Sequence, residues 1–239
     1  MMSLEDKLSI VEKRLHEAFD DAELQKRLKK EDYDKLAASK KSYRYNKGDI
    51  IFDDGELPKG VFFISKGTAK LSKSGVYGKD QILRFIKEGD LIGYRSLLMG
   101  DAFQARAEAM TDVEVVFVPS DVFLYLLEVD SKLSYAMLQK IAYELGESSN
   151  TITFLAQKTV RERLAEILLL LELKLGTDPE GFIKISLTRE EIANLIGTAT
   201  ESAIRLMSEF KSDKLIEVDG RNIRIFNREK LIKLGHVIM

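Results

Sequence analysis

Two side chains near the C terminus have the chemistry and the spacing to contact the edges of DNA bases. Glu201 and Arg205 lie four residues apart, about one helical turn, so a helix would place them on the same face. A carboxylate can accept a hydrogen bond from cytosine N4, and a guanidinium can donate two to guanine O6 and N7. The same spacing also suits an ordinary surface ion pair, so the surrounding elements must decide between the two interpretations.

The segment that contains these residues has the pattern of a helix-turn-helix. Thr188 and Glu191 have the spacing of a capping box, which predicts a helix that ends near Gly197. Thr198 and Glu201 repeat that spacing, which predicts a second capping box and a second helix. The buried face of the second helix would hold Ala203, Leu206, Met207 and Phe210. Two such short helices must stabilise each other, as they do in a helix-turn-helix.

The chain that follows predicts a β-hairpin, which completes a winged helix-turn-helix. Residues 215–225 form two short strand-like runs around Asp219 and Gly220, a pair typical of hairpin turns. The charge distribution agrees, because residues 184–239 hold ten basic and eight acidic residues, whereas the whole chain has a net charge of −2. In this context we interpret the outward-facing residues of the second helix as base contacts: Thr200, Glu201, Ser202 and Arg205.

The composition argues against metal centres and against catalysis. The chain has no cysteine, which excludes disulfides, zinc sites of the cysteine type and cysteine-bound iron–sulfur clusters. Its two histidines, His16 and His236, are too few for a multi-histidine metal centre, and a haem with one histidine ligand is compatible but unsupported. Neither histidine has a nucleophile or carboxylate motif beside it, and no glycine-rich phosphate loop is present. We expect a protein that is not an enzyme and holds no metal.

The sequence also lacks the patterns of export and of membrane insertion. Residues 1–19 form a charged amphipathic run rather than a signal peptide. The most apolar stretch, residues 167–175, is far too short to span a bilayer. We therefore expect a soluble, cytoplasmic protein with no membrane partner.

The pattern upstream of the helix-turn-helix predicts surface helices, then a β-rich domain, then a long helix. Short apolar runs alternate with glycine turns from Tyr43 onward, which is typical of a β-sandwich or a β-roll, and the pattern becomes helical after Ser120. The predicted fold is α+β, with an N-terminal double-stranded, jelly-roll-like β-roll, a long dimerisation helix and a C-terminal winged helix-turn-helix. The predicted domains are 1–130 for the N-terminal helices and β-roll effector domain, 131–158 for the dimerisation helix and 159–239 for the DNA-binding domain.

The long helix carries a heptad seam, which predicts a homodimer. Seven residues from Leu138 to Thr159 are spaced alternately three and four apart, as at the a and d positions of a coiled coil. The alternative is a helix that packs once against its own domain, but a helix of about 25 residues, about 37 Å long, is longer than a small β-domain. The predicted dimer seam consists of Leu138, Ile141, Leu145, Ile152 and Leu155.

A glycine-punctuated β-roll, a long helix and a winged helix-turn-helix, in that order, resemble the CRP/FNR family of bacterial transcription regulators. The resemblance extends from about Tyr43 to near the end of the chain. Its most specific pieces are the segments 47–52, 63–67, 89–93 and 187–205, together with Gly55. The resemblance implies that the partner is double-stranded DNA with an inverted repeat, and that RNA polymerase is a further partner if the protein is an activator.

The resemblance also implies roles for single residues of the DNA-binding domain. Glu201 and Arg205 stand where the family carries its base-contacting glutamate and arginine, which implies a TGA-like core in each half-site. Arg189 and Arg221 correspond to phosphate contacts, which position the protein without specifying sequence. The chain departs from the family at Thr200, where a second arginine is frequent, and at residue 204, an isoleucine where a small residue is usual.

The match to the family fails at the effector site. Relatives that bind cyclic AMP hold the ribose with a glutamate and the cyclic phosphate with an arginine, but Tyr94 and Phe103 stand in those places here. Loss of the arginine argues against cyclic AMP, because the phosphodiester loses its charge-assisted clamp. Ser148 and Ser149 match the adenine-contacting pair of the family and suit equally a polar seam position that sets register. The predicted effector pocket consists of Gly93, Tyr94, Arg95, Ser96, Phe103, Gln104, Arg106, Ser148 and Ser149.

Two interpretations of this pocket and two functions follow from the sequence. The pocket either accepts a different small molecule, such as an aromatic anion, or is filled by the side chains of the roll. We predict a dimeric, sequence-specific DNA-binding transcription regulator of CRP/FNR type, controlled by a small-molecule effector other than cyclic AMP. The alternative is a ligand-free or cyclic-nucleotide-like binding module that acts through protein–protein contacts.

Overall fold

The computed structural model describes residues 13–15, 17–75 and 78–237, and these residues form two compact units. His16 lies outside the described residues. The first unit contains the chain up to Lys73 together with Arg84–Glu147, and the second contains Ser74–Leu83 together with the chain from Ser148 onward. The predicted α+β architecture of a β-roll, a long helix and a helix-turn-helix is confirmed. The three predicted domain boundaries stay predictions.

Two four-stranded sheets form the β-roll, and their strands pair antiparallel, as in the pairing of Phe62 with Phe117. The first sheet contains, in spatial order, β1 (Lys41–Tyr45), β8 (Val113–Pro119), β3 (Gly60–Lys66) and β6 (Leu91–Ile92). The second contains β2 (Ile50–Phe52), β7 (Arg106–Ala109), β4 (Ala69–Ser74) and β5 (Asp80–Ile86). Strand order differs from chain order in both sheets, as expected for a jelly-roll-like fold.

The glycine turns that predicted the roll have a physical cause in the structure. Gly67 lies between β3 and β4 with a φ of +90°, and a Cβ atom there would be 2.3 Å from the carbonyl oxygen of Asp112. Only glycine fits such a turn, because any side chain would collide with the neighbouring backbone. Alternating strand residues fill the roll with one apolar cluster: Ile51, Phe52, Ile64, Ala69, Ile86, Ile92, Phe103, Ala107, Ala109, Val113 and Val115.

Helices of the first unit pack around a second apolar cluster on the outside of the roll. They are α1 (Asp21–Arg27), α2 (Lys30–Ser39), α3 (Tyr94–Met99), α4 (Ser120–Val129) and the long helix α5 (Ser131–Gln157). Leu24, Phe123 and Leu133 are fully buried members of this cluster. The start of α5 is held by Asp130, whose carboxylate accepts from the backbone of Leu133 and pairs with Arg27 at 2.9 Å.

The second unit contains the winged helix-turn-helix. Its elements are α6 (Val160–Leu175), α7 (Arg189–Ile196), α8 (Thr200–Ser212), β9 (Ile216–Asp219), β10 (Asn222–Ile225) and α9 (Arg228–Gly235). The capping box between Thr188 and Glu191 is present at the start of α7. Strands β9 and β10 pair around Gly220, whose φ is +55°, and so form the predicted hairpin.

The second capping box, predicted for Thr198 and Glu201, is wrong. Helix α8 begins one residue later than expected, with Ala199 as its N-cap and no side-chain hydrogen bond at the cap. The cause lies in the tightness of the turn. The backbone N–H of Thr198 donates to the carbonyl of Ala193 at 3.0 Å, so Thr198 closes the C-terminal end of α7 and does not cap α8.

Candidate nucleic-acid interface

Helix α8 has a sharply divided surface. Its buried face consists of Ala203, Leu206, Met207 and Phe210, as predicted from the spacing. Its exposed residues within the first nine positions are Glu201, Ile204, Arg205 and Ser208. Thr200 and Ser202, also predicted to contact bases, are half-buried at the edges of this face. The structure therefore brings Glu201 and Arg205 together on one face and leaves the other two candidates at its margins.

Glu201 and Arg205 do not pair with each other. Within the described residues, neither side chain makes a hydrogen bond or an ion pair, although they lie one helical turn apart on the exposed face. The interpretation as an ordinary surface ion pair therefore has no contact to support it. Both side chains keep their full hydrogen-bonding capacity toward a partner outside the chain.

Sequence reasoning missed Ile204 as part of this surface. Its side chain is 47% exposed, and it lies between Glu201 and Arg205 along the helix. The signal was available, because Ile204 is three residues after Glu201 and therefore on a neighbouring part of the same face. Ser208 also lies there, but its hydroxyl donates to the carbonyl oxygen of Ile204 at 3.0 Å and is turned back onto the helix.

A cluster of charged and aromatic side chains holds α8 against α6. The guanidinium of Arg161 donates to Glu209 and to Asp213, both at 2.8 Å. The same guanidinium lies 5.0 Å from the ring centroid of Phe210, a residue that is fully buried. These contacts all lie toward the C-terminal end of α8, four or more residues beyond Arg205, so they hold the helix without involving Glu201 or Arg205.

The two residues predicted to contact phosphates meet at the tip of the wing. Arg189, the first residue of α7, donates to the carbonyl oxygen of Gly220 at 3.4 Å. Arg221 follows Gly220 directly and is exposed. Lys211, near the end of α8, also donates to the wing, at the carbonyl of Val218. Helix α7, helix α8 and the wing therefore present basic side chains together.

Arg224 lies on the wing as well, but its guanidinium is used within the unit. It pairs with Glu217 on the opposite strand and donates to the carbonyl of Glu180 at 2.8 Å. It also lies 5.2 Å from the ring centroid of Phe182. Arg224 therefore stabilises the wing, whereas Arg221 extends from it.

In the first unit, Tyr94 of the predicted effector pocket faces a partly buried ionic cluster. Its hydroxyl donates to the carboxylate of Glu144 on α5. Arg84 donates to the same carboxylate at 2.7 Å, and Lys140 lies 3.1 Å from it. Lys140 also lies 3.5 Å from Asp90, so two cations and two carboxylates balance one another. Sequence reasoning missed this cluster because Arg84 and Tyr94 reach Glu144 from 60 and 50 residues away in the chain, whereas only Lys140 lies within one helical turn of it.

The contacts in this cluster shift the acidities of its members. Burial alone would raise the pKa of Glu144, but the charges of Arg84 and Lys140 and the hydrogen bond from Tyr94 hold that pKa below its usual value. Burial, and then the neighbouring carboxylate of Glu144, raise the pKa of Tyr94 far above its ordinary range. Glu144 is therefore ionised and Tyr94 neutral at physiological pH.

The other predicted pocket residues are taken up by contacts within the roll. Phe103 is buried and stacks on Phe52 with ring centroids 4.0 Å apart. Arg106 makes a two-pronged contact with Asp53, at 2.8 and 3.0 Å. Gln104 donates to Asp101 at 3.0 Å. Of the remaining first-unit residues, Gly93 caps α3 with a φ of +86°, Ser96 is buried and Arg95 is exposed.

Helix α5 carries the predicted dimer seam and the two serines. Four of the five seam residues are exposed, with accessible fractions of 62% for Leu138, 39% for Ile141, 70% for Leu145 and 68% for Ile152. Leu155, the fifth, is half-buried. Ser148 and Ser149 are exposed, and the backbone carbonyl of Ser149 accepts from Thr153. An apolar stripe of this kind is costly to leave in water.

The described part of the chain holds neither a cluster of side chains suited to a metal ion nor a helix suited to a membrane. No group of three or more histidine, cysteine or acidic side chains suited to a metal ion occurs among residues 13–15, 17–75 and 78–237. In that same part of the chain, no helix is both long enough and apolar enough to cross a membrane.

Comparisons with known proteins match both units. A model of the cyclic nucleotide-binding domain matches residues 43–130, and a model of the Crp-like helix-turn-helix domain matches residues 162–234. The chain is 30% identical to electron transport regulator A of Shewanella oneidensis, over 77% of this chain and 74% of the relative. It is 28% identical to the fumarate and nitrate reduction regulatory protein of Vibrio cholerae, over 80% and 77% of the two chains. Among solved structures, a CRP/FNR-family transcriptional regulator from Thermus thermophilus shares its fold with a TM-score of 0.70 at 23% identity, over 82% and 99% of the two chains.

Proposed function

Because the chain belongs to the CRP/FNR family of transcription regulators, we propose that it acts as a homodimer that binds an inverted repeat in DNA. Its relatives are transcription regulators rather than enzymes. The observation that carries the proposal is the exposed, unpaired state of Glu201 and Arg205 on α8. As a DNA-binding regulator, the protein would act in the cytoplasm.

In this proposal α8 enters the major groove and the wing contacts the backbone. Arg205 donates two hydrogen bonds to a guanine, and Glu201 accepts from a cytosine N4. Arg221 and Arg189 contact phosphates on either side and fix the register without specifying sequence. Arg161 supports base contact indirectly, since it holds the orientation of α8 through Glu209.

The proposed dimer forms through the seam of α5. Leu138, Leu145 and Ile152 each have more than 60% of their surface exposed in the single chain. Burial of such side chains against a second copy would remove their apolar surface from water. A two-fold axis would then place two copies of α8 in successive major grooves, about 34 Å apart. This geometry predicts half-sites about one helical turn apart.

We further propose that a small molecule other than cyclic AMP controls this regulator, and that it holds no iron–sulfur cluster. The absence of cysteine from the chain supports the second statement. The first is supported by Tyr94 and Phe103, which stand where relatives carry the glutamate and the arginine that bind cyclic AMP. Both side chains are buried. Titration calorimetry tests this part: we expect no heat of specific binding with cyclic AMP, and submicromolar affinity would contradict it. RNA polymerase as a partner stays a prediction that applies if the protein is an activator.

The experiment that tests the proposed function is recovery of bound DNA from fragmented genomic DNA, followed by sequencing. We expect a recurring inverted repeat with half-site centres about one helical turn apart. Recovery of no preferred sequence would contradict sequence-specific binding. That result would instead favour the alternative, a binding module that acts through protein–protein contacts.

A further inference from the structure

One large apolar side chain, that of Ile204, lies on the exposed side of α8, which faces DNA in the proposed function. Helix α8 lies wholly within the described residues, and Ile204 is the large apolar residue on its exposed side. At 3.6 residues per turn it lies about 60° around the helix from Glu201 and about 100° from Arg205. Ile204 therefore borders the face of Glu201 and Arg205, next to Glu201, and a surface that wraps around this face can contact it.

Ile204 offers only hydrocarbon atoms to a partner outside the chain. Its backbone carbonyl already accepts from the hydroxyl of Ser208 at 3.0 Å. The side chain is branched at Cβ, so one χ1 rotamer dominates in a helix and its methyl groups have a nearly fixed position. Ile204 is thus a preorganised apolar contact beside the hydrogen-bond acceptor Glu201.

The major groove offers one apolar group that such a side chain can contact. Each base pair shows a pattern of donors and acceptors there, and thymine alone adds a methyl group, at C5. Resting on the proposed function, we propose that Ile204 contacts the C5 methyl group of a thymine next to the guanine bound by Arg205. Ile204 then specifies an A·T pair in each half-site, which a polar residue at this position would not select in the same way.

The test removes the methyl group from the DNA and nothing else. In the bound operator, each thymine of both half-sites is replaced in turn by deoxyuridine, and the affinity of the full-length protein is measured by fluorescence anisotropy. For one thymine per half-site, we expect the affinity to fall about fourfold for each methyl group removed, which corresponds to the burial of one methyl group. With Ile204→Ala, the same thymine and deoxyuridine probes should bind equally.

Ser208→Ala is the matched control, because Ser208 lies on the same face but its hydroxyl is turned back onto the helix. This variant should discriminate thymine from deoxyuridine as the wild type does. Equal thermal melting of the two variants and the wild type would show that folding is unchanged.

Two results would overturn the proposal while the proposed function stands. The wild type could bind its operator specifically yet discriminate no thymine from deoxyuridine. Alternatively, Ile204→Ala could retain the full discrimination, which would assign the methyl contact to another residue. If the wild type selects no DNA sequence at all, both the proposed function and the role of Ile204 are wrong.

Discussion

The guanidinium of Arg161 on α6 lies 2.8 Å from the carboxylate of Glu209 on α8, one helical turn beyond Arg205. Arg161 also contacts Asp213 and the ring of Phe210, so one side chain fixes α8 at three points. The orientation of α8 therefore depends on Arg161, a residue that would not contact DNA.

Arg161→Ala should lower the stability of the protein and its affinity for all DNA sequences. The side chain is partly exposed, so we expect a loss of about 1 kcal/mol from the ion pairs and the cation–π contact together. Urea unfolding measures the stability, and selection from randomised sites measures the base preference. The preferred bases should stay the same, and a changed motif would contradict a purely orienting role. Arg161→Lys keeps the charge but not the two-pronged geometry. Its stability and its DNA affinity should therefore lie between those of the wild type and of Arg161→Ala.

Glu144→Gln should destabilise the first unit, because Arg84 and Lys140 would lose the carboxylate they share. The cluster is only partly shielded from water, so we expect a loss of about 2 kcal/mol in urea unfolding. Glu128→Gln is the matched control, since Glu128 is exposed on α4 and should cost less than about 0.5 kcal/mol. Equal stability of the two variants would contradict a stabilising role for the cluster.

The difference between wild type and Glu144→Gln should also depend on pH. The pKa of Glu144 is lowered in the folded protein, so the carboxylate contributes its full stabilisation above the unfolded pKa of about 4.3. That contribution is lost as the pH falls through the folded pKa. Urea unfolding at pH 7 and at pH 3 should therefore show a smaller difference at the lower pH, and a larger difference there would contradict the assignment.

Leu145→Glu should convert the dimer into a monomer, because the substitution would place two like charges face to face across the two-fold axis. Light scattering at micromolar concentration measures the mass. Leu57→Glu is the matched control: Leu57 is 75% exposed on the loop between β2 and β3 and is not a member of the predicted seam, so this variant should stay dimeric. A monomeric wild type would refute the proposed dimer.

Local patterns in the sequence predicted much of the fold, whereas contacts between distant residues were beyond it. The capping box of Thr188 and Glu191 was found because both partners lie within one turn. The one assigned to Thr198 was wrong because the backbone of that residue closes the preceding helix, and the spacing alone does not decide which of two adjacent helices such a residue caps. Helix–turn–strand order, by contrast, followed directly from periodicity and glycine positions.

The same distinction applies to the candidate sites. Periodicity placed Glu201 and Arg205 on one exposed face, since helical spacing alone determines it. The effector region depended on partners far along the chain. Arg106 is bound by Asp53, and Tyr94 is bound by Glu144, and no spacing rule connects these pairs. Expectations for that region were consequently the least specific.

The most direct test of base contact is a randomised-site selection run in parallel on the wild type, Arg205→Ala and Arg221→Ala. Arg205→Ala should lose its preference for one guanine in each half-site, a cost of about 1–3 kcal/mol per contact. Arg221→Ala should keep the wild-type motif, bind all sequences more weakly, and show a salt dependence reduced by about one unit of slope per lost phosphate contact. If Arg205→Ala selects the same bases as the wild type, Arg205 does not contact a base and the account of DNA recognition is wrong.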